Sequence, residues 1–181
     1  MPNRSRQNRL TIRRLAFGAV MTALSVVMLY IGGFLEILDI SMAALCGIIM
    51  QISVIESTKG WNLAQYAGGC ILSLTLIPFN FAGWSYLFLY GYYPILKSVL
   101  EGKIHKRALR ILLKSGICLL SGESLYLILR FFLQSEDSTT PVFIFLGFMY
   151  ILIFFIYDLL LSRIAVIYAI RFQPRFHLGL K

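Results

Sequence analysis

The chain has 181 residues, 59% of them hydrophobic and only 14% charged, with a mean hydropathy of +0.78. A soluble domain carries nearer a quarter charged residues, so the composition excludes a water-soluble globule and leaves an all-α integral membrane protein forming a single membrane domain. The net charge of +9, from 17 basic and 8 acidic residues, does not mark a nucleic-acid binder. The arginines and lysines gather in short segments at the ends of apolar runs, where they set orientation in the bilayer and touch anionic lipid.

Arg9, Arg13 and Arg14 head an uncharged run over residues 15–34. At about 1.5 Å per residue this run is roughly 30 Å long, the thickness of the hydrocarbon core. It predicts a membrane-spanning first helix with its arginines on the cytoplasmic side. The run is too long for a signal peptide, and IGGFLE at 31–36 lacks a small-x-small cleavage pattern, so the helix is expected to be retained. Ala16, Ala19 and Ala23 recur at spacings of three and four, with Thr22 beside them. Such a face lets a second helix backbone approach closely. Two readings fit it: packing against the other spans of this chain, or docking of a separate partner.

A short loop follows, with Glu36 and Asp39 and no base, then a second span over 41–55 that includes Gln51 and Ser53. A polar turn from Glu56 leads to a third span, 63–77, which stops at Pro78 and covers only about 22 Å. The fourth span, 84–100, is interrupted by Gly91 and Pro94, and the next connection, 101–110, is rich in bases. Span five covers 111–133 and contains Lys114, Glu123 and Arg130. A polar loop with Glu136 and Asp137 precedes span six, 142–162, which runs into a basic tail with Arg163, Arg171 and Arg175. Six spans place both termini on one side. Of the 17 bases, only Arg130 falls toward the other side, where Glu36, Asp39, Glu136 and Asp137 lie. The positive-inside rule then makes both termini cytoplasmic in a multi-pass membrane protein.

No HExxH, GxSxG or phosphate-binding lysine loop is present, so the chain is read as a non-enzyme without a cofactor or metal of its own. Cys46, Cys70 and Cys118 each fall inside an apolar run without paired spacing, as small buried residues do. Charge at membrane depth is expensive and usually purposeful. Glu123 lies nine residues past Lys114, about 13–14 Å into the membrane, and Arg130 is two turns further on the same face, with Tyr126 in the same stripe. These three residues can line a pocket open to the outside for a zwitterionic or polar ligand. Equally, Glu123 can bind a neighbouring helix while Arg130 snorkels to the interface. Asp158 lies near Arg163 and reads as a structural partner for Ser162 or a cytoplasmic base. Trp84, Tyr86, Tyr90, Tyr92 and Tyr93 cluster on span four. Trp84 and Tyr86 are candidates to stack on a planar ligand, with an interfacial belt as the other reading for Trp84.

The order of three features carries a resemblance: AVMTA at 19–23, an AxxxA pattern under an arginine head; FLEILDISMAAL at 34–45; and YLFLYGYYPILK at 86–97, followed by Glu101. In this order the chain resembles the substrate-binding S-components of energy-coupling factor (ECF) vitamin transporters. The resemblance implies a six-helix bundle that takes a vitamin or similar micronutrient from outside. It implies association with a membrane T-component and two cytoplasmic ATPases, which use ATP while this subunit topples to deliver its ligand. It assigns Ala19 and Ala23, with Ala16, to partner docking and the segment 34–40, including Glu36 and Asp39, to an outer gate. The alternative function is a non-transporting membrane scaffold or assembly protein.

Overall fold

The apolar runs form helices, and among the described residues there is no strand. In lipid a backbone must satisfy its own donors and acceptors, which a helix does within one segment. The computed structural model describes residues 4–35, 38–78, 80–104, 106–133 and 140–171; Glu36, the acidic loop with Glu136 and Asp137, and residues 172–181 with Arg175 lie outside the described residues. The elements are α1 (Arg4–Phe34), α2 (Asp39–Glu56), α3 (Lys59–Leu76), α4 (Phe81–Ser85), a π-helical turn (Tyr86–Tyr90), α5 (Tyr93–Lys103), α6 (Arg107–Leu133) and α7 (Thr140–Arg171). Among the described residues three segments are long and apolar enough to cross a membrane: Thr11–Phe34, Asp39–Glu56 and Gly147–Arg171.

Several boundaries move from those read in the sequence. The basic head is helical, so α1 is one rod of 31 residues, and α7 absorbs the start of the expected tail to reach 32. Helix α3 starts earlier than the predicted third span, and the Asn62 N–H already donates to the Thr58 carbonyl at 3.1 Å. Its polar residues turn inward instead of forming a loop: Asn62 and Gln65 are both buried. The third segment therefore has 18 residues and is as long as α2.

The fourth segment is continuous. Asn80 caps it, its side chain accepting from the Ala82 N–H at 2.7 Å. Gly91 (φ −78°, ψ −48°) and Tyr92 (φ −88°, ψ −24°) remain right-handed helical, so α4, the π turn and α5 form one rod. Within it the Gly91 N–H donates to the Tyr86 carbonyl at 2.8 Å, the wider bond of a π turn. Pro94 cannot donate a backbone hydrogen bond, so the ladder is already interrupted one turn further on. Tyr66 occupies the widened turn: its hydroxyl donates to the Leu87 carbonyl at 2.8 Å, and its ring leaves no room for a β-carbon at Gly91.

Helix α2 is the hub, packed by α1, α3, α4, the π turn, α5 and α7. Helix α1 turns Ser25, Leu29 and Gly32 inward, a face spaced by four and three, and Cys46 Sγ on α2 donates to the Ser25 carbonyl at 3.3 Å. Between α2 and α7 the Tyr157 hydroxyl fills the space that a side chain at Gly47 would take. The core is largely aromatic: Tyr93 meets Phe154 edge-on with ring centroids 4.9 Å apart, and Tyr90 meets Tyr157 likewise at 4.9 Å. Such pairs contribute about 0.5–1.5 kcal/mol each beyond their burial. Helix α6 packs on α7 and the π turn, where Ser121 Oγ and Tyr150 Oη are hydrogen-bonded at 2.9 Å.

A buried charge cluster as the candidate functional site

Lys97 sits on α5 one turn after Pro94, and its residue is only 2% exposed. Its ammonium has three hydrogens and three acceptors. It donates to Asp158 Oδ1 at 2.6 Å, to Ser162 Oγ at 2.6 Å and to the Asp158 backbone carbonyl. Lys114, one face of α6, approaches the same carboxylate from the other side. Its Nζ lies 2.8 Å from Asp158 Oδ2, 2.9 Å from Oδ1 and 3.0 Å from Glu101 Oε1. Tyr93 completes the group by donating its hydroxyl to Asp158 Oδ1 at 2.6 Å.

Two lysines face two carboxylates, so the cluster is neutral when all four are ionised. Removing each ion from water costs several kcal/mol, which Coulomb attraction offsets only where geometry is good and the remaining hydrogens are bonded. Both conditions hold here. Asp158 is reached by two ammoniums and a phenol, and each lysine spends its hydrogens inside the group. A closed network of this kind clamps α5, α6 and α7 together. Glu101, with 38% of its side chain exposed, is the member that faces outward.

Lys97 and Lys114, which the sequence places among solvated bases at helix ends, are instead buried counter-ions. The reading of Asp158 as a partner of Ser162 or of a base meets both: Ser162 Oγ donates to its carbonyl at 3.0 Å and two lysines hold its carboxylate. Sequence reasoning passed over the group as a site. The available signal was a base flanked by apolar residues, Ile95-Leu96-Lys97 and Leu112-Leu113-Lys114, with Asp158 inside an equally apolar run.

The residues named from the sequence as ligand-binding are not gathered around one space. Glu123 and Tyr126 are on exposed positions of α6, and the Arg130 side chain lies outside the described residues. Tyr86 is closed into the core at 1% exposure, 6.1 Å from the Tyr66 ring. Trp84 is half-buried; its indole donates to the Pro78 carbonyl at 3.0 Å and stacks on Phe88. Of the expected gate, Asp39 opens α2 and Glu36 lies outside the described residues. Next to that segment Tyr30, Ile31, Phe34 and Leu35 line an open apolar hollow of about 350 Å³. Ala16, Ala19 and Ala23 are all exposed. Compared with models of protein families, with curated proteins and with solved structures, the chain matches none.

Proposed function

We propose that the chain is the substrate-binding subunit of an ECF-type importer in a bacterial plasma membrane, a six-span protein with both termini in the cytoplasm. It captures a vitamin or similar micronutrient and works with a membrane T-component and two ATPases that hydrolyse ATP on its behalf. The observation that carries this reading is the state of α1. Ser25, Leu29 and Gly32 are buried and Thr22 faces Gly68 on α3, while Ala16, Ala19 and Ala23 are exposed. In lipid, helices associate through close packing of small residues rather than through apolar bulk, so an uncovered alanine face suits a second chain. The Ala19→Leu/Ala23→Leu variant is expected to lose co-purification with the T-component and ATPases while the solitary protein stays folded. Retention of the whole complex would refute the docking role.

A membrane scaffold is the second reading, favoured by one observation: Glu123 points outward while Tyr86 is sealed in the core. Native mass spectrometry of detergent-purified protein separates the two. A stoichiometric small molecule on the chain supports the importer subunit; its absence, with a leucine-sensitive protein complex, supports the scaffold.

A further inference from the structure

The joint in the fourth segment deprives two backbone carbonyls of their usual helical donors. In an α-helix the Leu87 carbonyl accepts from the N–H of residue 91 and the Tyr90 carbonyl from that of residue 94. Here the Gly91 N–H goes to Tyr86 instead, and Pro94 has no N–H to give. Each carbonyl has a tyrosine beside it, from a different neighbouring helix. The Tyr66 hydroxyl, from α3, donates to the Leu87 carbonyl at 2.8 Å. The Tyr157 hydroxyl, from α7, stands over Gly47; a β-carbon on that glycine would collide with it and lie 2.8 Å from the Tyr90 carbonyl oxygen. Tyr157 is only 5% exposed, and its hydroxyl is buried without a hydrogen-bond partner. A buried donor and an acceptor that has lost its helical donor therefore stand close together, unbonded. Such a pair calls for an explanation, because buried polar groups are nearly always bonded.

The two halves of the segment are fastened to different helices. Before the joint, Asn80 Nδ2 donates to the Leu29 carbonyl of α1 at 3.5 Å. After it, Lys97 ties α5 to Asp158 and Ser162 of α7, and Lys114 adds α6 to the same body. We infer that residues 86–94 form a hinge with two hydrogen-bonded states, in which the two tyrosines alternate. In the observed state Tyr66 holds Leu87 and Tyr157 is disengaged. In the second state the joint shifts toward α7, Tyr157 Oη donates to the Tyr90 carbonyl, and Tyr66 releases Leu87. One hydroxyl–carbonyl bond replaces another, which keeps the two states close in free energy. Gly47 leaves the Tyr157 hydroxyl the space to move. The shift tilts α4 against the body of α5, α6 and α7, and it serves an importer subunit and a scaffold alike.

The test is relaxation-dispersion NMR on the backbone amides of the full chain in detergent. The amides of Phe88 and Gly91 belong to the same peptide units as the Leu87 and Tyr90 carbonyls, so they report on both bonds. They are expected to exchange at one common rate, on the microsecond-to-millisecond scale of collective motions. Tyr157→Phe removes a hydroxyl that is unbonded in the observed state. The thermal unfolding midpoint is therefore expected not to fall, while the exchange at Phe88 and Gly91 disappears. Tyr66→Phe weakens the observed state alone and is expected to raise the population of the second about fivefold or more. A midpoint lowered by Tyr157→Phe would mean that the hydroxyl already has a partner, and it overturns the proposal. So does exchange at Phe88 and Gly91 that survives Tyr157→Phe, or flat dispersion at both amides in the wild type and in Tyr66→Phe.

Discussion

Asp158 holds the largest share of chemistry of any single residue in the bundle. Its carboxylate is shared by Lys97 at 2.6 Å and Lys114 at 2.8 Å; the other carboxylate, Glu101, lies 3.0 Å from Lys114 and 4.0 Å from Lys97. Asp158→Asn leaves two buried cations facing only Glu101, and breaking such a pair typically costs about 3–5 kcal/mol. We expect that loss in denaturant titrations of the detergent-solubilised protein. Adding Lys97→Met to the variant removes the surplus cation and leaves Lys114 with Glu101, so the double variant is expected to be more stable than Asp158→Asn alone. Strict additivity of the two substitutions would show that they do not share a network. This site was only half legible in the sequence. An aspartate in an apolar helix announces a partner, but Lys97 and Asp158 are 61 residues apart and Lys114 and Asp158 are 44 apart. Both lysines also lie near base-rich connections, where the positive-inside pattern explains them without any burial.

At the scale of elements, the helices were legible because each apolar run ends at charge, proline or a polar turn. The π turn was not. Gly91 and Pro94 mark an interruption, but the form it takes depends on Tyr66, which comes from α3 and donates to the Leu87 carbonyl at 2.8 Å. Tyr66→Phe leaves that carbonyl unbonded in the interior, an expected loss of about 1–3 kcal/mol in unfolding free energy. The contact between α2 and α7 gives a sharper test. A β-carbon at Gly47 would land on the Tyr157 hydroxyl, so Gly47→Ala is expected to lower the unfolding midpoint. Tyr157→Phe removes the offending oxygen and should restore part of it; an equal loss with or without the hydroxyl would mean that the collision lies elsewhere, for example with the Tyr90 carbonyl.

Across the whole molecule, α2 is enclosed by its neighbours while α6 stands at the edge, packed on α7 and the π turn. The sequence could not rank the helices in this way. In lipid both the inner and the outer faces are apolar, so no polar stripe tells them apart, and α1 has small residues on both: Gly32 inside, Ala16, Ala19 and Ala23 outside. What the structure adds is the means by which an edge helix is held. Along α6, Leu112, Leu119, Leu120 and Leu127 are exposed at 67%, 57%, 72% and 61%, whereas Lys114, Cys118, Ser121 and Leu125 are buried at spacings of four, three and four. That narrow inward stripe has two polar fastenings, the Ser121–Tyr150 hydrogen bond and the salt bridges of Lys114 to Asp158 and Glu101. Lys114→Met keeps the stem of the side chain and removes the second fastening. Hydrogen–deuterium exchange in detergent is then expected to speed up over residues 107–120 by about tenfold or more, equivalent to at least about 1.4 kcal/mol of lost local stability, while α1 and α2 exchange as before. A uniform acceleration over every helix would mean instead that the lysine cluster holds the entire bundle, and that α6 does not open as a separate unit.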